Sequence, residues 1–291
     1  MKLIYINDDA NFNNYVISTT TRIAKPMDDT KQAGSIVITG TGMTLGAHIT
    51  PICRSHIEQA DVVFTSAHPM IKLWLKEMNP DVRTLQCLYA QGKDRRITYR
   101  EMVDVMLTEV RAGKKVVGAF DGHPGVFAWS PHKVIEEARA EGFAAQMLPG
   151  ISAEDCLYVH LGVDPGKVGS QNFEASQFMF YQRNIDPSAY LILWQVAIAG
   201  DKSIARFATG QAYRQLLVDL LAQYYPLDHR VALYECPTLP TEQVRIEWIP
   251  LKDFSTAEIS LITTMALPPS QKMLKNQLIL DKLAELDNIH P

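Results

Sequence analysis

The feature that most constrains the fold is a pattern that occurs twice between Gly118 and Tyr158: an apolar run, a turn rich in glycine and proline, then a helix start. The first copy reads GAFDGHPGVF, and the second reads QMLPGISAEDCLY. Glycine permits close approach of the backbone to a ligand, and proline fixes the bend of a turn. Two such turns after successive predicted strands indicate a cofactor cleft lined by main-chain amides.

The same alternation extends through residues 34–150. Helical stripes alternate with short apolar runs, which is typical of a doubly wound, mostly parallel sheet. The box Thr98-Tyr99-Arg100-Glu101 predicts the start of one of these helices. The other predicted helices and strands are helices 48–60, 69–78 and 131–140 and strands 35–40, 62–65, 82–85, 114–120 and 144–149.

The pattern changes after residue 150. A helix is predicted over 153–161, a polar loop around SQNFEASQ, a strand over 189–195 and a helix over 211–224. The runs RVALYE, QVRIEW and EISLITTM follow with short connections, which favours a mixed, partly antiparallel sheet. We therefore predict an α/β protein with an N-terminal extension (1–33), two α/β domains (34–150 and 151–270) and a helical C-terminal tail (271–291), its helix over 273–286.

Composition excludes several classes of partner. The 291 residues carry a net charge of -4, so no basic surface predicts a nucleic-acid partner. No apolar run approaches the roughly 20 residues that span a bilayer, and no signal peptide begins the chain. The four cysteines show no close spacing, which favours a reducing cytoplasm.

Two other motifs argue against alternative ligands. In GTGMTLG (40–46) the third glycine comes one place later than in the dinucleotide fingerprint, and Asp61 stands at the start of the second strand instead of its end. This disfavours a nicotinamide cofactor. His132 and Glu136 have helical i, i+4 spacing but lack a third ligand, so we predict no metal site.

A loop that combines tyrosine and arginine carries the candidate chemistry. Tyr89, Arg95, Arg96 and Tyr99 lie in or beside the segment 86–99. If Thr98 caps the following helix, Tyr99 lies in its first turn, where the helix end and an arginine both favour the phenolate. Tyr99 is then a candidate base or oxyanion partner. A basic, solvated loop with two half-buried tyrosines is the alternative.

Ser152 has two interpretations that the residues leave open. It begins Ser-Ala-Glu-Asp, a capping-box pattern, so it is a candidate N-cap. The same position at a helix N-terminus also suits a ligand contact.

The motifs GSIVITGTG, FDGHPGVF, MLPGISAEDCLY and LILWQVAIAGD together resemble the tetrapyrrole (corrin/porphyrin) methylase superfamily. With YAQGKDRRITY they are most similar to its borosin branch, the peptide backbone α-N-methyltransferases, over about residues 34–270. The resemblance implies a two-domain fold, a homodimer, and S-adenosylmethionine in the cleft between the domains, with S-adenosylhomocysteine as product. It also implies iterative methylation of backbone amides in a precursor peptide.

The resemblance further implies roles for individual residues. Arg95 and Tyr99 match the catalytic arginine and tyrosine, and Tyr89 matches a second active-site tyrosine, whereas a further fungal tyrosine falls on Gln86. Asp121 replaces a tyrosine before GHPG, where its carboxylate is expected either to attract the sulfonium or bond the cofactor's polar groups, or else to disturb how the peptide sits. The other implied cofactor contacts are Gly122, His123, Val126, Phe127, Ser152, Ala153, Gln195 and Thr263.

Fungal relatives carry their peptide substrate on their own C-terminus. The tail PPSQKMLKNQLILDKLAELDNIHP is polar and helical and not rich in Val, Ile and Gly. The resemblance therefore favours the bacterial split arrangement, with a separate precursor peptide that binds a homodimer or forms a heterotetramer with it. Residues 1–33 are an added edge strand, an arm or an upstream start, or else a cis substrate, because NNYVISTT is extended and rich in amides.

Two other functions stay open at this point. A tetrapyrrole C-methyltransferase of corrinoid or sirohaem synthesis has the same fold and cofactor, but its polyanionic substrate requires several basic residues in the cleft. A cofactor-binding scaffold for a peptide partner, without catalysis, has only Asp121 in its support.

Overall fold

The computed structural model describes residues 33–289, so the predicted extension (1–33) lies outside the described residues except for Ala33. The first half contains a five-stranded parallel sheet in the order β3-β2-β4-β1-β5. The elements are β1 (Ser35–Gly40), α1 (Pro51–Glu58), β2 (Val62–Thr65), α2 (Pro69–Lys76), β3 (Val82–Thr84), α3 (Arg95–Arg111), β4 (Lys115–Phe120), α4 (Trp129–Ala140) and β5 (Ala144–Met147).

The second half contains a five-stranded mixed sheet in the order β6-β7-β10-β8-β9, in which only β6 and β7 pair in parallel. The elements are α5 (Ala153–Leu161), α6 (Pro165–Val168), β6 (Ser170–Glu174), α7 (Ala175–Phe180), β7 (Tyr190–Trp194), α8 (Gln211–Leu221), β8 (Arg230–Glu235), β9 (Arg245–Pro250), β10 (Thr264–Leu267) and α9 (Gln277–Ile289). The predicted α/β class, with one mostly parallel and one mixed sheet, is confirmed.

Each sheet has its own buried core. In the first half, α3 packs Met102, Met106 and Val110 against β1 and β4. A further cluster joins the two halves, because Phe127 from the first half packs against Trp194 and the residues around α5. The cleft described below lies at this junction. The domain boundary near residue 150 stays a prediction.

The structure corrects the predicted start of α3. The carboxylate of Asp94 is the N-cap and accepts a hydrogen bond from Arg96 N at 2.8 Å. The helix therefore begins at Arg95, and Thr98, which the capping box marked as the cap, instead donates from its hydroxyl to the carbonyl of Leu88 at 3.3 Å. Tyr99 thus lies one turn inside the helix, farther from the positive helix end than predicted. Aspartate caps a helix at least as well as threonine, so the earlier start is favoured.

Two predictions in the second half are also wrong. The predicted loop around SQNFEASQ contains β6, whose side chains are polar because they bond to one another and to β7; Asn172 Oδ1, for example, accepts from Trp194 Nε1 at 2.9 Å. The run EISLITTM forms a strand only from Thr264 onward. Before that, Ser260 N donates to Thr263 Oγ1 at 2.8 Å, which closes a turn.

Candidate functional site

Three glycines bring three chain segments into direct backbone contact at the carboxyl ends of β1, β4 and β5. A Cβ atom at Gly40 would lie 2.3 Å from the carbonyl oxygen of Gly122 and 2.8 Å from Cα of Gly150. Gly122 itself has a left-handed backbone (φ 65°) and exchanges hydrogen bonds with Gly42. Only glycine allows this approach. The three segments therefore hold the turn after β4 against the start of α5.

A cleft opens beside this crossing, between the two sheets. Its walls contain the backbone turn 121–128, the start of α5 and the end of β7. The residues that line it are Met43, Ser66, Phe120, Asp121, Gly122, His123, Pro124, Val126, Phe127, Ala128, Ser152, Ala153, Glu154, Trp194, Gln195, Cys236, Thr238 and Ile262. Eight of the nine predicted cofactor contacts are among them, all except Thr263.

Two lining residues have a strained backbone. Phe127 (φ 49°) and Gln195 (φ 60°) adopt the left-handed conformation without being glycine. Such strain costs on the order of 1–3 kcal/mol and clusters at functional sites. The rings of Phe127 and Trp194 lie 5.9 Å apart between centroids, so the strained turn contacts the second half of the chain at the cleft.

Ser152 is the N-cap of α5, which confirms the capping box. Its hydroxyl accepts from Asp155 N at 3.2 Å, and Asp155 Oδ2 accepts from Ser152 N at 2.6 Å. The capping role does not remove Ser152 from the cleft wall. Both interpretations of this residue therefore remain compatible with its position.

Thr263 lies apart from the cleft surface. It is fully buried, and its hydroxyl donates to the carboxylate of Glu235. Its neighbour Ile262 lines the cleft instead. Direct contact between Thr263 and a bound cofactor would require this hydrogen bond to be exchanged.

Charge in the cleft is one-sided. The lining residues that the structure describes include the carboxylates of Asp121 and Glu154 and no lysine or arginine. Glu154 Oε1 accepts from Tyr158 Oη at 2.6 Å and from Asn172 Nδ2 at 2.9 Å, so its position is fixed. Two carboxylates among mostly apolar side chains fit a positively charged sulfonium donor with sugar hydroxyls, and they oppose a polyanion.

Arg95 lies outside this lining, and the second half of the chain holds it. The loop 201–206 accepts three hydrogen bonds from segment 92–95: Gly92 N donates to Ala205 O at 3.2 Å, Arg95 N donates to Ile204 O at 3.1 Å, and Arg95 Nη2 donates to Arg206 O. Ile204 has a left-handed backbone (φ 58°). A strained loop of one half therefore fixes the candidate catalytic arginine of the other.

The two neighbouring arginines differ sharply. Arg95 is 7% exposed, and its Nη1 is buried without a hydrogen-bond partner among residues 33–289. Arg96 lies on the surface, where Nη2 pairs with Asp94 Oδ2 at 2.6 Å. Arg95 is thus a buried cation with an available donor, in contrast to the solvated loop that was the alternative.

Tyr89 and Tyr99 lie together beside this arginine. Their ring centroids are 6.4 Å apart in an edge-to-face arrangement, and Tyr99 is 2% exposed. Burial raises the pKa of the Tyr89 phenol well above its ordinary value, Tyr99 raises it further, and the charge of Arg95 opposes the shift. Tyr89 is therefore held neutral at physiological pH, which is the opposite of what a phenolate base requires.

Sequence reasoning missed two carboxylates near Arg95. Glu174 is 3% exposed and caps α7, because Oε2 accepts from Gln177 N at 2.7 Å. Burial raises the pKa of Glu174, while hydrogen bonds from 176–177 and the charge of Arg95 oppose the shift. Burial also acts to raise the pKa of Asp201, but hydrogen bonds from Ser203 and Arg206 outweigh it and leave the pKa below its ordinary value.

Other cleft residues were also missed, because they come from distant segments. They include Met43, Thr238 and Ile262, which are far apart in the sequence and come together only in the fold. A hydrogen bond from Leu45 N to Thr238 O, at 2.8 Å, joins two of these segments. Glu154 and Trp194 were detectable, since each adjoins a predicted contact. Gln86, at the position of the fungal tyrosine, donates from Nε2 to the carbonyl of Ser66, a lining residue.

Comparison with known proteins defines the class. The family model of the tetrapyrrole (corrin/porphyrin) methylases matches residues 35–249. The chain therefore belongs to this family and is a methyltransferase of the S-adenosylmethionine-dependent class. Its relatives narrow the assignment to the borosin methyltransferases, and the resemblance seen in the sequence is confirmed.

Three fungal relatives carry this assignment. A methyltransferase/ribosomally synthesized type I borosin cyclic peptide precursor from Coprinopsis marcescibilis is 39% identical, over 89% of this chain and 69% of its own length. The gymnopeptides precursor of Gymnopus fusipes is 39% identical, over 83% of this chain and 59% of its own length. The omphalotin A precursor of Omphalotus olearius is 34% identical, over 87% and 62%. The chain thus spans about six to seven tenths of these relatives' lengths.

Solved structures agree on the fold alone. Cobalt precorrin-4 methyltransferase has a TM-score of 0.59 at 17% identity, over 80% of this chain and 94% of its own. Uroporphyrin-III-C-methyltransferase from Thermus thermophilus has a TM-score of 0.57 at 16% identity, over 81% and 92%.

The described part of the chain contains neither a metal-binding cluster nor a membrane-spanning helix. Within residues 33–289 no group of three or more His, Cys, Asp or Glu side chains is arranged to hold a metal ion. No helix of that part has the length and apolar character needed to cross a membrane.

Proposed function

We propose that this protein transfers methyl groups from S-adenosylmethionine to backbone amide nitrogens of a precursor peptide, repeatedly, in borosin biosynthesis. One observation carries the proposal: the described lining of the cleft contains two carboxylates and no lysine or arginine, while a buried arginine with an unpartnered Nη1 lies beside two tyrosines outside that lining. The cleft suits a cationic methyl donor. The arginine and tyrosines suit an acceptor that becomes negative at oxygen.

The donor would lie against main chain and carboxylates. Gly122 and the turn through Phe127 would contact it from the first half, and Ala153 and Gln195 from the second. Asp121 and Glu154 would balance its positive charge and bond its hydroxyls. When bound, the cofactor supplies an electrophilic methyl group. Thr263 would reach it only after its hydrogen bond to Glu235 is exchanged.

An amide nitrogen is a poor nucleophile because its lone pair is delocalised into the carbonyl. Attack on a methyl group becomes easier when negative charge on the amide oxygen is stabilised. Arg95, a fixed cation with a forked donor, suits this task through Nη1. Tyr99 adds a phenol beside it, and Tyr89, held neutral, acts as a hydrogen-bonding neighbour instead of a base.

The partner is proposed to be a separate peptide bound in extended form through main-chain hydrogen bonds, which tolerate varied side chains. Leu278, Leu283 and Leu286 are exposed on α9, in accord with a homodimer or a heterotetramer with the precursor. No cysteine forms a disulfide within the described range, which suits the reducing cytoplasm.

The function is tested with methyl-labelled S-adenosylmethionine and two kinds of acceptor. Purified protein is offered synthetic peptides rich in Val, Ile and Gly, or uroporphyrinogen III, and products are mapped by mass spectrometry. We expect methyl groups on backbone nitrogens of the peptides. Transfer to the macrocycle alone would establish the tetrapyrrole alternative, and methyl increments on a proteolytic fragment containing residues 1–32 would establish a cis substrate.

A pair of adjacent variants makes this test specific. Arg95→Gln should lower kcat on the peptide about 10²- to 10³-fold, the usual effect of removing one oxyanion donor. Arg96→Gln should remain close to the wild type, because this side chain is paired on the surface. Equal activity of the two variants would contradict the role of Arg95.

A further inference from the structure

The buried groups around Arg95 include three polar atoms without a hydrogen-bond partner among residues 33–289: Arg95 Nη1, Tyr89 Oη and Glu174 Oε1. Two of the three belong to charged side chains. Arg95 Nη1 and Glu174 Oε1 are both inaccessible to solvent, and neither has a hydrogen-bond partner among residues 33–289. Leaving a buried charged group unsatisfied is costly, so a native structure that keeps two of them calls for an explanation.

The two orphaned atoms belong to one electrostatic unit. Arg95 is the charged group that acts on Glu174 from another element, and no ion pair within 4 Å ties them together in the described structure. Glu174 ends β6 directly beside Trp194, its Cα partner on β7, and Trp194 lines the cleft. Ser176, in the first turn of α7 after Glu174, donates from Oγ to Ile198 O at 3.0 Å and accepts from Gly200 N at 3.2 Å, and the loop 201–206 that follows holds Arg95. The same stretch of chain therefore contacts the segments that carry Glu174 and Arg95.

A secondary amide presents one acceptor and one donor, the carbonyl oxygen and the N–H. An unpartnered guanidinium N–H and an unpartnered carboxylate oxygen complement this pair. We propose that Glu174 is a catalytic residue that accepts the hydrogen bond of the substrate amide N–H while Arg95 Nη1 donates to its carbonyl oxygen. This inference rests on the proposed function and supplies its missing proton acceptor.

The step balances as follows in atoms and electrons. The amide nitrogen forms a bond to the methyl carbon of the sulfonium donor, and the carbon–sulfur bond breaks with its electron pair left on sulfur. As the nitrogen lone pair becomes committed to carbon, the N–H becomes acidic, and its proton moves to Glu174 Oε1. The methylated amide then has no N–H, so its contact with Glu174 is lost, and the carboxyl passes its proton to water that enters when the methylated segment leaves.

Glu174 is suited to this role by the groups around it. The charge of Arg95 on α3 acts on Glu174, and it acts on Tyr89 and Asp201 as well. Gln177 N holds the other carboxylate oxygen of Glu174 at 2.7 Å. Raising the pKa of a carboxyl makes its carboxylate a stronger base. Asp201 differs because both its oxygens are occupied: Oδ1 accepts from Ser203 at 3.0 and 2.6 Å, and Oδ2 accepts from Arg206 N at 3.0 Å.

The test compares binding of a Val/Ile/Gly-rich peptide with binding of the same peptide carrying one backbone ester, which keeps the carbonyl but lacks the N–H. Titrations with S-adenosylhomocysteine present use wild type, Glu174→Ala and Asp201→Asn. We expect the wild type to prefer the amide by roughly 10- to 100-fold, the value of one hydrogen bond to a charged acceptor. Glu174→Ala should abolish the preference. Asp201→Asn, which loosens the loop that holds Arg95, should weaken both peptides alike.

A second readout uses turnover. The methylation rate of the wild type should rise as the pH rises through the raised pKa of Glu174, since only the carboxylate accepts the proton. Glu174→Gln should give a low methylation rate that does not rise with pH in this range. A peptide that binds with an amide preference that depends on Glu174, but is not methylated, would support the contact and defeat the proposed function. If the wild type methylates the peptide and the Glu174 variants keep both the amide preference and the rise in rate with pH, the proposed role of Glu174 is wrong. Absence of any peptide binding would also overturn that role.

Discussion

Replacing Gly150 by alanine tests whether the three-glycine crossing shapes the cleft. The added Cβ would lie 2.3 Å from the carbonyl oxygen of Gly122 and 2.8 Å from Cα of Gly40. Carbon and oxygen normally approach no closer than about 3.3 Å, so about 1 Å of movement is required. Both neighbours are backbone atoms, and no side-chain rotation can provide it. We expect a cost of about 1–3 kcal/mol, seen as a fall in Tm of roughly 2–4 °C per kcal/mol.

The movement should also reach the ligand. Gly122 belongs to the turn that lines the cleft, so its displacement should weaken S-adenosylhomocysteine binding at least about tenfold, or about 1.4 kcal/mol. Thermal melting and isothermal titration measure the two effects. Gly210→Ala is the matched control, because its Cβ meets no atom within 4 Å and its φ of -91° suits any residue. If Gly150→Ala melts and binds as Gly210→Ala does, the crossing does not constrain the cleft.

Three further changes test the site. Tyr99→Phe should abolish or severely slow peptide methylation in the labelled-methyl assay while cofactor binding by titration is unchanged; normal turnover would remove Tyr99 from the mechanism. Ile204→Gly should relieve backbone strain of about 1–2 kcal/mol from the left-handed conformation, so Tm should rise or stay unchanged. The same variant should lower kcat, because the loop that holds Arg95 becomes more mobile. An unchanged kcat would show that catalysis does not depend on the rigidity of this loop. Folding raises the pKa of Glu174, so its ionisation destabilises the fold as the pH rises above the ordinary carboxyl pKa, by about 1.4 kcal/mol per pKa unit. Thermal melting should therefore find Glu174→Gln more stable than the wild type at pH 8 but not at pH 4. A gain in stability that is independent of pH would exclude this linkage.

The elements of the first sheet were predictable because each buried parallel strand is a continuous apolar run. β4 (Lys115–Phe120) and α5 (Ala153–Leu161) match their predicted ranges to within a residue. β6 was not predictable in this way, since its polar side chains are satisfied by partners such as Trp194 that lie far away in sequence. A strand whose side chains bond across the sheet shows no apolar alternation.

The candidate site was predictable only where its residues follow one another in the chain. The turn 121–128 and the start of α5 are contiguous motifs, and both line the cleft. Contact of Gly40 with Gly150 depends on the pairing of β1 with β5. Contact of Arg95 with the loop 201–206 depends on the relative position of the two halves. Glu174 had no sequence signal, because a buried carboxylate at a strand end reads as a surface residue.

The charges that line the cleft give a reason for Arg95 to be held by the loop 201–206, outside the cleft lining. A sulfonium donor is a cation, so a guanidinium among the lining residues would oppose its binding, and the described lining contains carboxylates instead. In the proposed reaction the peptide amide develops negative charge at oxygen, which needs a cation within hydrogen-bond reach. Under that proposal, fixing Arg95 through loop 201–206, with Glu174 and Asp201 to balance its charge, would keep that cation near the reacting amide without placing it among the residues that line the cleft. A variant that moved positive charge into the cleft, such as Asp121→Lys, would therefore be expected to weaken donor binding before it altered the chemical step.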